Sequence, residues 1–317
     1  MKIGFIGLGN VGGKLAGSLL RNGFDVTVRD LSVEVARPFI DKGASWAENA
    51  REMAEACDVT ITCLPSPAAS AAVVEAEDGI LAGLSDGKIW LEMSTTDAAE
   101  VQRLGALVAD KGAMALDCPV SGGCHRAASG NISIFAGGER AAFEKALPLL
   151  TTMGRRVLHT GGLGSASILK VMTNYLATAN LLTLAEALTT MKAAGLDLAT
   201  TYEAIRISSG NSFVHETESQ VILSGSRQID FTMDLVLKDI GLFQDIADRT
   251  GVPLEINPLM IDIMKDGAER YGQRAQSDDI IRRLEEATGL DIRAPGFPAE
   301  LVDEEPEEPG AEVVAQS

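Results

Sequence analysis

Apolar residues fall in short continuous runs through the first half of the chain and at helical spacing through the second. The first run, Ile3, Phe5 and Ile6, leads into glycines at 7, 9 and 12. Residues 13–22 then repeat at the three-to-four spacing of an amphipathic helix, which Gly23 closes. Runs at 25–29, 59–64, 88–93, 113–118, 132–137 and 156–159 have the length of buried strands. Between them, 97–111 and 139–153 have helical spacing. This alternation predicts an α/β Rossmann-type domain over residues 1–162, with a parallel sheet covered by helices on both faces. From Gly164 the pattern is helical throughout, with segments at 165–194, 197–208, 216–224, 233–250, 258–271 and 278–288. Residues 163–292 are therefore expected to form an all-α substrate and oligomerisation domain. Lys170, Asn174, Asn180 and Glu186 interrupt the longest apolar stretch, so it predicts a buried helix joining two domains and no membrane span.

Composition adds limits to this picture. A chain of 317 residues accommodates two domains with cores of their own. Its formal net charge of −18 excludes non-specific nucleic-acid binding. Residues 300–312, ELVDEEPEEPGAE, carry seven acids, two prolines and no base, a mixture that cannot bury a core. Residues 293–317 are accordingly expected to be an acidic tail, disordered or loosely attached. The N-terminal apolar run is short and broken by glycines, unlike a secretion signal, which points to a cytoplasmic protein. Cys57, Cys63, Cys118 and Cys124 form no CxxC pair, and three histidines offer no metal cluster. Small buried thiols and no bound metal are the expectation, with some oxidation sensitivity where Cys118 and Cys124 flank a candidate site. The apolar helical half suggests a homodimer or homotetramer.

Three places carry chemistry. Gly7-x-Gly9-x-x-Gly12, with Asn10 and Val11 inside the turn, has the spacing of a dinucleotide fingerprint: a tight turn, close backbone approach to a pyrophosphate, and a helix start that receives it. Asp30 stands at the end of the second strand, where a carboxylate accepts the adenosine ribose hydroxyls and repels a 2′-phosphate. It favours NAD, with NADP the alternative that the adjacent Arg29 keeps open. Residues 117–123, DCPVSGG, follow the fifth strand, and Ser121, Gly122 and Gly123 offer a hydroxyl and adjacent backbone N–H groups suited to a carboxylate. Lys170 and Asn174 lie four apart on the long helix and share a face, both polar where the surroundings are apolar.

Together these residues resemble the β-hydroxyacid dehydrogenase family. The resemblance covers residues 1 to about 290 and rests on GFIGLGNVG at 4–12, CLPSP at 63–67, MSTT at 93–96, DCPVSGG at 117–123, GLGSASILKVMTN at 162–174 and LKDIGL at 237–242. It implies a 6-phosphogluconate dehydrogenase-like fold and an NAD(P)-dependent enzyme that interconverts a small 3-hydroxy acid and its semialdehyde. By the same resemblance, Lys170 is the catalytic lysine, Asn174 binds substrate, and Ser121, Gly122 and Gly123 hold its carboxylate. Leu64, Pro65 and Thr95 match cofactor-contacting positions, and Lys238 matches the lysine of a KD motif near the cofactor. Val11, Leu15, Cys118, Ala166 and Thr173 depart from the family's usual residues, while His125, Asn211, Phe213 and His215 fall where substrate selectivity varies.

Chemically, a lysine in that role takes the hydroxyl proton during oxidation and returns it during reduction. A phosphorylated sugar-acid dehydrogenase would need a basic phosphate cluster, which the second half does not offer. An imine reductase-like enzyme usually lacks a lysine at position 170. A non-catalytic NAD(P)-binding scaffold is the reading of another class, and the lysine and asparagine speak against it.

Overall fold

The computed structural model describes residues 1–315, which divide into two compact units. One comprises Met1–Lys170 together with the chain from Asp303 onward; the other is Val171–Val302. The boundary thus falls six residues into the long helix Ser165–Ala193, later than the expected break after residue 162.

The first unit is built on ten strands: β1 (Lys2–Ile6), β2 (Asp25–Arg29), β3 (Ser45–Trp46), β4 (Val59–Thr62), β5 (Ile89–Glu92), β6 (Met114–Asp117), β7 (Val120–Ser121), β8 (Ile132–Gly137), β9 (Gly154–Gly161) and β10 (Ala311–Val313). Their order is β10-β9-β8-β6-β5-β4-β1-β2-β3, with β7 beside β8. Strands β1 to β6 run parallel. Four consecutive residues are buried in each of β4 and β5, because helices cover both faces and leave no solvent side to alternate with. Trp90, fully buried in β5, donates its indole N–H to Thr62 Oγ1 at 3.0 Å, which satisfies its one polar atom. Asn49, Ser66 and Asp97 each cap a following helix by accepting a backbone N–H.

The strand order reverses direction at β1, whose neighbours are β2 and β4. Loops following β1 and β4 therefore leave opposite sides of a crevice at the carboxyl edge, the place where open α/β sheets take ligands. One departure from the parallel expectation is β8, which runs antiparallel to both β6 and β7. Residues 118–131, which join β6 to β8, hold β7 and the short helix Gly123–Ala128.

A second departure is the acidic tail, expected to be loose. From Asp303 it lies along the first unit and ends as β10, parallel to β9 with Ala311 opposite Arg156 and Val313 opposite Leu158. Its acids meet a row of bases: Arg21 with Glu307, Arg126 with Glu305, Arg155 with Glu308 and Arg140 with Glu312. A segment that cannot form a core can still dock where opposite charge and an open strand edge await it.

The second unit is helical, with helices Leu198–Arg206, Phe213–Ser224, Met233–Thr250, Ile256–Tyr271 and Arg282–Thr288 around the remainder of the long helix. A 3-10 turn, Ser277–Ile281, occupies the start of the last expected helix. Leu188, Ile222, Leu223, Met233, Ile240 and Met264 form its core. No helix among the described residues is long and apolar enough to cross a membrane.

Candidate active site

The nucleotide-type turn is built by close backbone approach. Gly7 adopts φ 96°, and a Cβ there would meet the Cys63 carbonyl oxygen at 2.3 Å; one on Gly12 would meet the Gly7 oxygen at 2.1 Å. Only glycine permits both approaches. At Gly9, by contrast, nothing lies within 4 Å of the Cβ position, so the turn presents bare backbone to open space. Gly13 N–H bonds Gly9 O at 2.9 Å and Leu15 N–H bonds Val11 O at 3.1 Å, starting the helix Gly12–Arg21 directly from the turn. Asn10 is exposed beside it, and Val11 packs on the sheet core. Bare turn backbone running into a helix N-terminus fits a dinucleotide pyrophosphate.

Asp30 belongs to this turn physically. Its Oδ2 accepts the Leu8 N–H at 2.6 Å and its Oδ1 accepts the Leu31 N–H at 2.7 Å, so the carboxylate is fixed at the tip of β2. Arg29 is turned elsewhere: its guanidinium donates to the carbonyls of Ala47 and Glu48 and lies 5.9 Å from the Trp46 ring centroid. Across the crevice, Leu64 N–H donates to Ser94 Oγ at 2.7 Å, and Ser94 N–H to Glu92 Oε1 at 2.8 Å. These bonds tie the loop holding Leu64 and exposed Pro65 to the loop holding half-buried Thr95. Burial pushes the Glu92 carboxyl above the usual glutamate range, against the donors around it.

Ser121 lies in β7 opposite Ser133 of β8. Gly122 and Gly123 follow with φ 129° and 85°, conformations that side chains rarely adopt. His125 packs its ring against Gly123, where a Cβ would lie 2.8 Å from its Cε1. Burial, assisted by Arg126, lowers the His125 pKa. Cys118 and Cys124 are both buried, and burial pushes the Cys118 thiol well up, so it is a poor thiolate at neutrality.

Lys170 is 7% exposed, in the second turn of the long helix. What fixes that helix start is Asp117, the last residue of β6. Asp117 Oδ1 accepts the Gly164 N–H at 2.8 Å, and Oδ2 accepts the Ser167 N–H at 2.7 Å and its hydroxyl at 2.8 Å. The residue is fully buried, and burial holds its carboxyl above the usual aspartate range even against these donors. Sequence reading placed residue 117 only within the motif. Its partners lie 47 and 50 residues downstream, beyond any local pattern.

In the helical unit, Asn174 lies one turn beyond Lys170 on the same helix and donates to Asp239 Oδ2 at 2.5 Å. Lys238 Nζ lies 3.0 Å from the other oxygen of Asp239. Buried Asp239 therefore joins two expected site residues, and it was not singled out in the sequence although it follows Lys238 directly. Of the positions expected to vary with substrate, His215 is buried, bonded through Nε2 to the Tyr202 carbonyl and through Nδ1 to Ser219 Oγ, which makes it part of the helical core. Asn211 donates to Glu216 at 2.7 Å, and Phe213 is exposed. No cluster of three or more metal-ligating side chains occurs among the described residues.

Known proteins are similar to this chain over most of its length. A family model described as the NAD binding domain of 6-phosphogluconate dehydrogenase matches residues 2–161, and one described as NAD-binding of NADP-dependent 3-hydroxyisobutyrate dehydrogenase matches residues 164–284. The 2-(hydroxymethyl)glutarate dehydrogenase of Eubacterium barkeri is 32% identical over 293 residues, 92% of this chain and 97% of its own. The mitochondrial 3-hydroxyisobutyrate dehydrogenase of Rattus norvegicus is 34% identical over 259 residues, covering 80% of this chain and 77% of its own. A crystal structure of 3-hydroxyisobutyrate dehydrogenase from Salmonella typhimurium superposes with a TM-score of 0.82 at 27% identity, over 89% of this chain and 99% of that one.

Proposed function

The chain belongs to the β-hydroxyacid dehydrogenase family as an NAD(P)-dependent oxidoreductase, and on that premise we propose that it oxidises a small 3-hydroxy acid to its semialdehyde with Lys170 as general base. The observation that carries this reading is a buried lysine one helical turn before Asn174, on a helix whose start is pinned by three hydrogen bonds to Asp117. The nicotinamide ring, when bound, accepts or returns the hydride. Lys170 Nζ takes the proton from the substrate hydroxyl and gives it back in the reverse direction. Ser121 and the N–H groups of Gly122 and Gly123 receive the substrate carboxylate, and Asn174 orients the carbinol, itself steadied by Asp239.

Gly7, Gly9, Asn10, Val11 and Gly12 receive the pyrophosphate, Leu64 and Pro65 line the adenosine and ribose side, and Thr95 contacts the cofactor. Lys238 serves the cofactor. Asp30 supports NAD over NADP, and Arg29, held by Ala47 and Glu48, is not aimed at a 2′-phosphate. Exposed Leu176, Leu196, Ile207, Ile256 and Leu259 on the helical unit support self-association as a dimer or tetramer.

The test is Lys170→Ala, assayed for NAD reduction with 3-hydroxyisobutyrate, 2-(hydroxymethyl)glutarate and L-serine. Turnover should fall by roughly 10²–10⁴-fold, the usual worth of a general base, while the NADH dissociation constant stays within twofold. Near-normal turnover would remove Lys170 from the proton transfer.

A further inference from the structure

The tail from Asp303 lies beyond both family models, the second of which ends at residue 284. Its contacts with the first unit are not spread evenly. Glu308 and Glu312 serve strand β9 and its neighbouring helix through Arg155 and Arg140. Asp303 and Glu305 converge instead on one short stretch, the helix Gly123–Ala128 and the turn after it, and Glu307 lies beside Gly130 of that turn. Asp303 Oδ2 accepts the Ser129 hydroxyl and the Asn131 Nδ2 at 2.8 Å, and Asn131 Nδ2 also donates to the Glu305 carbonyl at 2.9 Å. Arg126 reaches Glu305 at 3.4 Å. Glu307 takes Asn22 Nδ2 at 2.9 Å and grips Arg21 through both oxygens, and Arg21 in turn donates to the Ala128 carbonyl at 2.8 Å.

Resting on the reading of Ser121–Gly123 as the carboxylate site, we propose that this segment is a positioning strap for that site. The candidate carboxylate segment is held in front by β7, paired to β8. Behind it stands a helix of six residues, too short to be stable alone, and between the two lies the conformationally loose pair Gly122 and Gly123. The direction of the Gly122 and Gly123 N–H groups thus depends on where the far end of that helix is pinned. Asp303 pins it directly and Glu307 does so through Arg21, the same arginine that closes the helix leaving the glycine turn. Asp303 and Glu307 are therefore positioning residues for substrate binding, acting from a part of the chain that neither family model covers.

The experiment compares the full-length enzyme with Asp303→Ala/Glu307→Ala, with Asp303→Asn, and with Glu308→Ala, which removes a tail contact that does not reach residues 123–131. KM for the best of the three hydroxy acids should rise about tenfold in the double variant, with kcat and the NADH dissociation constant within twofold. Asp303→Asn keeps an acceptor oxygen and should recover most of the loss, and Glu308→Ala should leave KM unchanged. Hydrogen exchange at residues 122–131 should accelerate about tenfold in the double variant alone. Equal KM values in the double variant and Glu308→Ala would overturn the proposal, and so would a rise in KM matched by an equal loss of NADH affinity. If no hydroxy acid is turned over by the parent enzyme, the functional reading fails by itself; unchanged exchange at 122–131 would then still overturn the strap.

Discussion

Asp117 offers the sharpest test of how the fold delivers Lys170. Replacing it with Ala removes the acceptor for two backbone N–H groups and one hydroxyl, all buried, at 2.7 to 2.8 Å. An orphaned buried donor costs about 1–3 kcal/mol, and loss of an N-terminal cap about 1 kcal/mol. Three donors partly rescued by entering water give a loss of about 3–5 kcal/mol in folding stability. Asn in place of Asp faces at least one N–H with its own NH₂ group, for a loss of about 2 kcal/mol, offset in part because no charge is then buried. Lys170 follows Ser167 by three residues, so a relaxed first turn moves Nζ with it. A displacement of about 1 Å at a reacting group costs roughly 10²-fold in rate. Urea unfolding gives the first quantity, and kcat with NADH titration gives the second. The expected result is kcat lowered roughly 30- to 100-fold in Asp117→Ala with NADH affinity retained. A folded variant of lowered stability whose kcat stays within twofold would refute the reasoning, since the cap would then serve the fold and not the lysine.

Gly137→Ala should reproduce that phenotype from the other side, because its Cβ would stand 2.4 Å from Asp117 Oδ1 and 2.8 Å from Ser165 Oγ; normal kcat would show that the carboxylate can shift harmlessly. Asp30→Ala removes the carboxylate proposed to accept the adenosine ribose hydroxyls and should weaken NADH binding about 10- to 100-fold while changing NADPH binding much less, as read by fluorescence titration; an unchanged ratio of the two would assign Asp30, through its bonds to Leu8 and Leu31, to the turn alone. The docked tail should be sensitive to acid. Hydrogen bonding from Arg140 lowers the Glu312 pKa, and at Asp303 the bonds from Ser129 and Asn131 outweigh burial and lower it too. Groups depressed on folding stabilise the docked state above the ordinary carboxylate range, near pH 4, and lose that contribution as pH falls through their lowered values. NMR signals of residues 303–313 should therefore sharpen towards free-chain behaviour below about pH 4, and signals unchanged at pH 3 would contradict this.

The parts of the fold carried by local pattern were legible. β1, β2 and the helix Met233–Thr250 lie where their apolar runs and periods predict, and Gly7, Gly9 and Gly12 make the turn their spacing implies. What escaped was set by distant partners. Ala311–Val313 has no strand period of its own and pairs only because β9 offers an edge. The acids before it read as solvated charge until Arg21, Arg126, Arg140 and Arg155 are seen along their path. Asp117 and Asp239 were hidden for the same reason: each looks ordinary beside its neighbours, and its meaning lies in the groups that a different element brings to it.

The place of β10 at the end of the chain bears on how the protein is made. Strand β9 is complete once residue 161 has been synthesised, yet its outer partner begins at residue 311. At about 5–20 residues per second, roughly 8–30 s of translation separate the two. Through that interval the nascent first unit carries an unpaired parallel edge, the kind of surface on which chains aggregate. Arg155 and Arg156 stand on that edge strand, and their like charge repels the same edge of another nascent chain before the acids arrive. The arginine at 155 is thus a gatekeeper first and a salt-bridge partner second.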